Sequence, residues 1–290
     1  VEKSKKKLVN DFLDEYIEFA RNSFSKNYCR SIELAIRMFI DFVGNKDIRE
    51  IKPRDIERFI SYTFARAKYS AHLYYRTLKA AFSKAITWQY IEANPFQKVK
   101  PTKTQRKIPV FLTMEEMSQI IMNEQDETLK DLYLAAFYTG LRQSELLNLK
   151  WSSIDFERMM LVVGNSDEFI TKSKSARVIP LRKELIDILQ RMKSFSKSEY
   201  IFVDKNGFKL ANDFVSKRFK KVVRKIGFRE DVHFHTLRHS FASCLAQKGV
   251  SLYIIKEILG HQNISTTQIY AHLNNNSLFE AINKMNGLNL

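Results

Sequence analysis

A chain of 290 residues is too long for one ordinary small domain and long enough for two of roughly 100 to 200 residues, each able to bury a core. A formal charge of +16 argues against a neutral metabolite as the main ligand and favours a polyanionic partner, nucleic acid first. No apolar run approaches the roughly 18 to 20 residues of a spanning helix and no secretory pattern opens the chain, so a soluble, cytoplasmic protein without membrane attachment is expected.

Along the first hundred residues the apolar positions recur at helical spacing with almost no strand signal, which predicts a helical bundle over 1–98. Ile32, Ile36, Phe39, Ile40 and Val43 make one stripe, closed by Gly44-Asn45 as a stop. A third segment begins after Pro53 and runs to about Ala67 and a fourth runs from about Ser70 to Tyr90, ending before Asn94-Pro95, which completes four main helices. Residues 51–100 hold ten Lys or Arg against three Asp or Glu, most of them in the set Lys52, Arg54, Arg58, Arg66, Lys68, Arg76, Lys79 and Lys84. Such a run is usually only a solvated helix face. Its interleaving with Tyr69, Tyr74 and Tyr75 favours a surface turned toward DNA.

Residues 99–109, VKPTKTQRKIP, combine two prolines with basic residues and little periodicity, and read as an extended linker. A second domain is expected over 110–290. Thr113 and Glu116 have capping-box spacing ahead of Ile120 and Ile121, and helical patterns continue through Lys150. MMLVVG (159–164) and the stretch from Phe169 through RVIPL (177–181) read as strands of a small antiparallel sheet, after which helices return from about Lys183. The two cysteines, Cys29 and Cys244, have no CxxC or Cys/His spacing. They indicate neither a disulfide framework nor a zinc site and are read as buried small hydrophobes.

Three segments place basic and imidazole side chains where turns meet helices, positions from which they can converge on one phosphate. In TGLRQSELLNL (139–149), Gly140 breaks a helix and Arg142 opens the next, with Glu145 one turn on and able to orient the guanidinium. Alone, that pair would ordinarily be a surface ion pair. In HTLRHSFAS (235–243), His235 and Arg238 share a face and His239 follows one step later; a lone histidine is usually structural, and His239 is given a supporting role. In LGHQNISTTQIYAHL (259–273), Gly260 ends a helix, His261 follows, and Tyr270 sits in a short helical turn where a tyrosine beside alanine would normally be core.

Together these three stretches resemble the tyrosine recombinase (phage integrase) family, and its Xer branch most of all. The resemblance is dense over 139–273, and the helical first half fits the family's core-binding domain in length and character. It implies a mainly α, two-domain, C-shaped clamp on duplex DNA, with a SAM-like helical domain and a mixed α/β catalytic domain carrying a small antiparallel sheet. It implies further that Arg142 and Arg238 clamp the scissile phosphate, that His235 and His261 complete the pocket, and that Tyr270 is the nucleophile. The family's hairpin lysine maps to Lys172, flanked by Thr171 and Ser173 where the Xer branch usually has glycines, with Lys174 as a second candidate.

The chemistry fits these assignments. A phosphodiester resists an anionic nucleophile until its nonbridging oxygens are neutralised, which two fixed arginines do. A phenol with a pKa near 10 needs a proton acceptor; His235 is the preferred base and His261 the phosphate donor, although the sequence does not separate these roles. The leaving 5′ oxygen needs a proton, which Lys172 would supply. The product would be a 3′-phosphotyrosine that a partner duplex attacks in reverse. Bond energy is conserved, so no cofactor, ATP or metal is required, and the sequence has no P-loop or acidic metal-ligand cluster.

The resemblance implies a homotetramer on two sites, or a heterotetramer with a related recombinase, working through a Holliday junction with or without an accessory translocase. SLFEAINKMNGL (277–288) carries Leu278, Phe279, Ile282 and Met285 on one stripe, read as a helix docking on a neighbouring subunit. Chromosome-dimer resolution and movement of an element both remain open. A type IB topoisomerase would share the pocket but act as a monomer, and a non-catalytic DNA-binding protein would not keep the full set of pocket residues.

Overall fold

The computed structural model describes residues 6–101, 109–164 and 176–273. The chain divides between Arg106 and Lys107 into two compact units.

The first unit holds α1 (Val9–Ser23), α2 (Lys26–Val43), α3 (Pro53–Arg66) and α4 (Lys68–Thr87). Their bounds follow local signals. Ser25 caps α2 by accepting from the Tyr28 N–H, Gly44 ends it at φ +75°, and Pro53 starts α3 where a missing N–H costs nothing. The stripe Ile32, Ile36 and Phe39 is buried, with Ile40 and Val43 packed at its margin. Phe39 meets Phe59 and Phe82 edge-on at 5.2 and 6.0 Å, and Phe82 contacts Phe96 at 5.0 Å. Each fully buried aromatic of this kind contributes about 1.5–3 kcal/mol.

Two of the three tyrosines read as DNA-facing are core residues instead. Tyr74 and Tyr75 are buried, and the Tyr75 hydroxyl donates to the Val99 carbonyl at 2.7 Å, tying the end of the unit to α4. On α4, positions 71, 74, 75, 78, 81, 82 and 85 recur at helical spacing along the buried side, and that period decides the burial of both tyrosines. Tyr69 alone of the three is exposed, at 63 %. Cys29 is buried as expected, whereas Cys244 is only half-buried.

The second unit begins with α5 (Met114–Asn123), whose capping box forms as the spacing indicated: Glu116 N–H donates to Thr113 Oγ1 at 3.2 Å and Thr113 N–H to Glu116 Oε2 at 2.9 Å. After α6 (Glu127–Thr139) and the short α7 (Gln143–Leu146), three antiparallel strands lie in the order β1 (Ile154–Asp155), β2 (Met160–Val163), β3 (Arg177–Pro180). Leu161 pairs with Ile179 and Val163 with Arg177 across β2 and β3. Leu161, Val163 and Ile179 are buried while Val162 and Val178 face solvent, the period-2 alternation of a half-buried sheet. β1 was not foreseen, since two residues are too few to show that alternation. The third strand starts at Arg177, and residues 165–175 lie outside the described residues.

Then follow α8 (Lys183–Phe195), α9 (Asn212–Lys225), α10 (His235–Gln247) and α11 (Leu252–Leu259), with 3-10 turns at Ile264–Thr266 and Gln268–Leu273. Among the described residues no helix is long and apolar enough to cross a membrane. The stripe Leu278, Phe279, Ile282 and Met285 lies outside the described residues.

Candidate active site

The site assembles around the C-terminal end of α11. The last carbonyls of any helix lack intrahelical donors and carry partial negative charge. Here three consecutive ones are met by three arginines from distant parts of the chain. Arg177 Nε donates to Ile258 O at 2.8 Å, Arg238 Nη2 to Leu259 O at 2.8 Å, and Arg142 Nη2 to Gly260 O at 3.4 Å. Gly260 makes the turn possible, at φ +65° with its would-be Cβ only 2.9 Å from Arg177 Nη1.

Arg142 arrives there because α6 stops at Gly140, which takes the left-handed conformation at φ +63°. Its would-be Cβ lies 2.4 Å from Phe241 Cδ1, so only glycine lets α6 approach α10 this closely. Arg142 then caps α7. Its backbone N–H donates to Glu145 Oε2 at 2.9 Å and its Nη1 to Glu145 Oε1 at 2.8 Å. The Glu145 side chain is 1 % exposed. Burial pushes that carboxyl up, but hydrogen bonds and charge from Arg177 and Arg142 outweigh it and the net shift is down.

Arg238, on the first turns of α10, is 3 % exposed and also donates through Nη1 to Gly140 O at 2.7 Å. Burial, and then the charge of Arg142, push its pKa down to about 9, which leaves it a cation at neutral pH. Two guanidiniums are thus fixed by main-chain carbonyls before any ligand arrives, the preorganisation a phosphate clamp requires.

Tyr270 lies in the 3-10 turn Gln268–Leu273, 1 % exposed, among Ala242, Ala246, Ile255 and Leu259. Burial raises its pKa to about 12 while Arg238 pulls the other way. Its hydroxyl is 2.6 Å from Nδ1 of His239. The ring of His239 in turn meets that of His235 at 4.9 Å and 89°. Burial, with His233 and Arg238 behind it, pushes His239 down to about 4. His235 is exposed as a residue, yet the protein packed around it and the neighbouring His239 and Arg238 still push its pKa down. His261 directly follows Gly260, and its Nδ1 is 2.9 Å from the hydroxyl of the fully buried Thr267. Where that hydroxyl donates, the proton of His261 stays on Nε2, the tautomer that can donate to a phosphate.

Arg142, Glu145, His235, Arg238, His239, His261 and Tyr270 therefore come together. Lys172 and Lys174 lie outside the described residues. Arg177 was read only as part of a strand. The available signal was its register: on a short strand whose inward positions are 177 and 179, an arginine on the core side requires a buried partner, and Glu145 is that partner.

Of the basic residues read as DNA-facing, Lys52, Arg54, Arg58, Arg66, Lys68 and Arg76 are exposed on α3 and α4 or at their starts. Lys79 and Lys84 are half-buried: the Lys79 ammonium lies 5.6 Å from the Tyr75 ring centroid, and that of Lys84 4.5 Å from Phe19.

Residues 110–277 match the phage integrase family and residues 8–103 the phage integrase SAM-like domain. A tyrosine recombinase of Thermosipho africanus (strain TCF52B) is 32 % identical over 288 residues, covering 96 % of this chain and 99 % of its own length. Tyrosine recombinase XerA of Pyrococcus horikoshii is 32 % identical over 294 residues, covering 97 % and 96 %. Among solved structures, Tn1549 transposon integrase in complex with a circular intermediate DNA superposes with a TM-score of 0.82 at 22 % identity, covering 96 % and 99 %. A lambda integrase tetramer bound to a Holliday junction gives 0.78 at 22 %, covering 91 % and 80 %. The chain belongs to the phage integrase family and is a tyrosine site-specific recombinase.

Proposed function

We propose that this protein cleaves and rejoins duplex DNA at a specific site, with Tyr270 as nucleophile and Arg142 and Arg238 as the phosphate clamp. The observation that carries the assignment is the Tyr270 hydroxyl, held 2.6 Å from an imidazole and within the field of Arg238. Tyr270 Oη attacks phosphorus and loses its proton to a base in the pocket. The P–O5′ bond breaks, leaving a 3′-phosphotyrosyl link, and Lys172 gives the departing 5′ oxygen its proton. A 5′ hydroxyl from the partner duplex then reverses each step. His261 donates to a nonbridging oxygen, and Glu145 holds Arg142 in place.

The helical unit of residues 1–98 contributes DNA-backbone contacts from Arg54, Arg58, Arg66 and Arg76, and the linker 99–109 joins it to the catalytic unit. Assembly as a tetramer on two sites is supported by the lambda integrase tetramer on a Holliday junction, which has the same fold. Acting on such DNA, the protein works in the cytoplasm. The test is covalent capture on a nicked suicide substrate. An adduct is expected from wild type, and Tyr270→Phe should abolish it while single-site binding survives; an undiminished adduct in the Phe variant sinks the assignment.

A further inference from the structure

We infer that His239, and not His235, is the base that takes the proton of Tyr270 during cleavage and returns it during rejoining. The inference rests on the reading of Tyr270 as nucleophile. It starts from contact: a general base must lie within hydrogen-bond reach of the proton it removes, and the imidazole in that position is His239, with Nδ1 2.6 Å from Oη.

Position on α10 explains why. Ring 239 lies one helical turn beyond ring 235, on the side that packs against the 3-10 turn Gln268–Leu273, and Tyr270 enters there beside Ala242 and Ala246. His235 occupies the first position of α10 and is exposed. That leaves His235 for the DNA phosphate.

The surroundings suit a base that acts only in the transition state. His233, His235 and Arg238 face His239 from α10 and the loop before it, and His261 and Tyr270 face it from the turns after α11. Burial first, and then His233 and the Arg238 guanidinium, keep His239 neutral at neutral pH, so it offers a lone pair. Nδ1 can accept only if the ring proton sits on Nε2. In the unliganded pocket the phenol keeps its proton, because burial disfavours the phenolate more than Arg238 favours it.

Once Oη begins to bond to phosphorus its electrons are drawn away and its proton becomes strongly acidic. It then passes to Nδ1 as the P–O5′ bond lengthens. The bond that forms is Oη–P and the bond that breaks is P–O5′. The proton lost by Tyr270 resides on His239, and a separate proton from Lys172 satisfies O5′. In rejoining, the imidazolium hands its proton back to Oη as the phosphotyrosyl bond breaks.

The experiment is single-turnover cleavage between pH 3.5 and 10, a range that crosses the His239 pKa of about 4, on two suicide substrates, one with the natural 5′ oxygen and one with sulfur at that bridging position. Sulfur leaves without an acid, so on that substrate the acidic limb of the rate profile reports the base alone. His239→Asn keeps a hydrogen-bonding atom near Nδ1 but has no site that can take up a proton. It should slow cleavage by about 10²–10⁴-fold on both substrates, lose the acidic limb, and climb about tenfold per pH unit as ionisation of Tyr270 takes over.

His235→Asn should slow the reaction but keep the limb. A near-wild-type rate in His239→Asn, a rate restored by sulfur, or a slower rate with an unchanged limb would each overturn the inference. So would loss of the limb in His235→Asn, which decides the matter even if the His239 variant binds no DNA. Adduct formation by Tyr270→Phe, by contrast, would overturn the underlying reading.

Discussion

Arg177 on β3 grips Glu145 with both terminal nitrogens, Nη2 to Oε2 at 2.7 Å and Nη1 to Oε1 at 3.3 Å, so the carboxylate that orients Arg142 is itself held from the sheet. The Arg177 side chain is 8 % exposed and that of Glu145 1 %. Removing one partner of such a pair leaves a buried charge under-compensated. Arg177→Ala should therefore cost about 3–5 kcal/mol of stability, read as a lower denaturant midpoint. Arg177→Lys keeps the charge but not the fork and should fold better while still misplacing Arg142. In the Lys variant the cleavage rate should fall more than DNA affinity does. Equal losses in rate and affinity would show that the pair only stabilises the fold.

Gly140 and Gly44 provide a matched comparison, since both end helices at positive φ but only one is crowded. At Gly44 nothing lies within 4 Å of an added Cβ, and Gly44→Ala should cost only the backbone strain of its φ +75°, ψ 168° conformation, about 1–3 kcal/mol. At Gly140 the same Cβ would overlap Phe241 at 2.4 Å and Leu259 at 2.9 Å, and the carbonyl of Gly140 anchors Arg238. Gly140→Ala should lose several kcal/mol and reduce cleavage by at least tenfold, since α6, α10 and α11 have to part. Thermal melts and adduct yields of the two variants at matched DNA occupancy provide the check.

Much of this was legible in the sequence, and the remainder was not for identifiable reasons. Helix ends were visible wherever one residue type fixes the backbone, as at Gly44, Pro53, Gly140 and the Thr113/Glu116 box. The motifs carrying Arg142, His235, Arg238, His261 and Tyr270 announced a shared pocket. What one-dimensional spacing does not encode is which of two neighbouring histidines reaches a tyrosine thirty-one residues away. Nor does it encode that a strand arginine closes on a helix glutamate. Both depend on how α10, α11 and β3 pack. Tyr74 and Tyr75 misled because tyrosine serves equally well as a core filler and as a DNA contact.

The pocket histidines predict a pH effect whose direction is fixed by burial. His239 and His261 are each pushed down to about 4, first by burial and then by positive neighbours including Arg238. An unfolded chain would bind these protons near pH 6.5. As pH falls below about 6.5 the unfolded state protonates first, so the stability these residues contribute is complete above that value and is lost toward pH 4. Carboxylates titrate mostly below this window. The melting temperature should fall on the order of 5 °C between pH 7.5 and 5, and His261→Asn should flatten the slope. A melting temperature constant over that range in wild type would contradict the account.

Charge on the helical unit leads to a prediction about salt. Arg66 lies 3.6 Å from the ring centroid of Tyr62 and donates through Nη1 to the Tyr62 carbonyl, which steadies an exposed guanidinium at the end of α3. Arg76 is exposed on α4. If both meet phosphates, the Arg66→Ala, Arg76→Ala double variant releases fewer counterions on binding, and the plot of log affinity against log salt should flatten by about 0.9 for each phosphate no longer neutralised. Lys84 is the internal control. Its ammonium lies over Phe19 and Trp88 at 4.5 and 5.6 Å, so Lys84→Ala should disturb packing and lower stability without altering the slope as much. Fluorescence anisotropy on a single-site duplex from 50 to 300 mM salt measures both quantities together. A double variant with wild-type affinity and slope would show that these arginines do not face DNA, whereas weaker binding at an unchanged slope would indicate a role in shaping the helical unit, because only a phosphate left without its arginine changes the number of ions released.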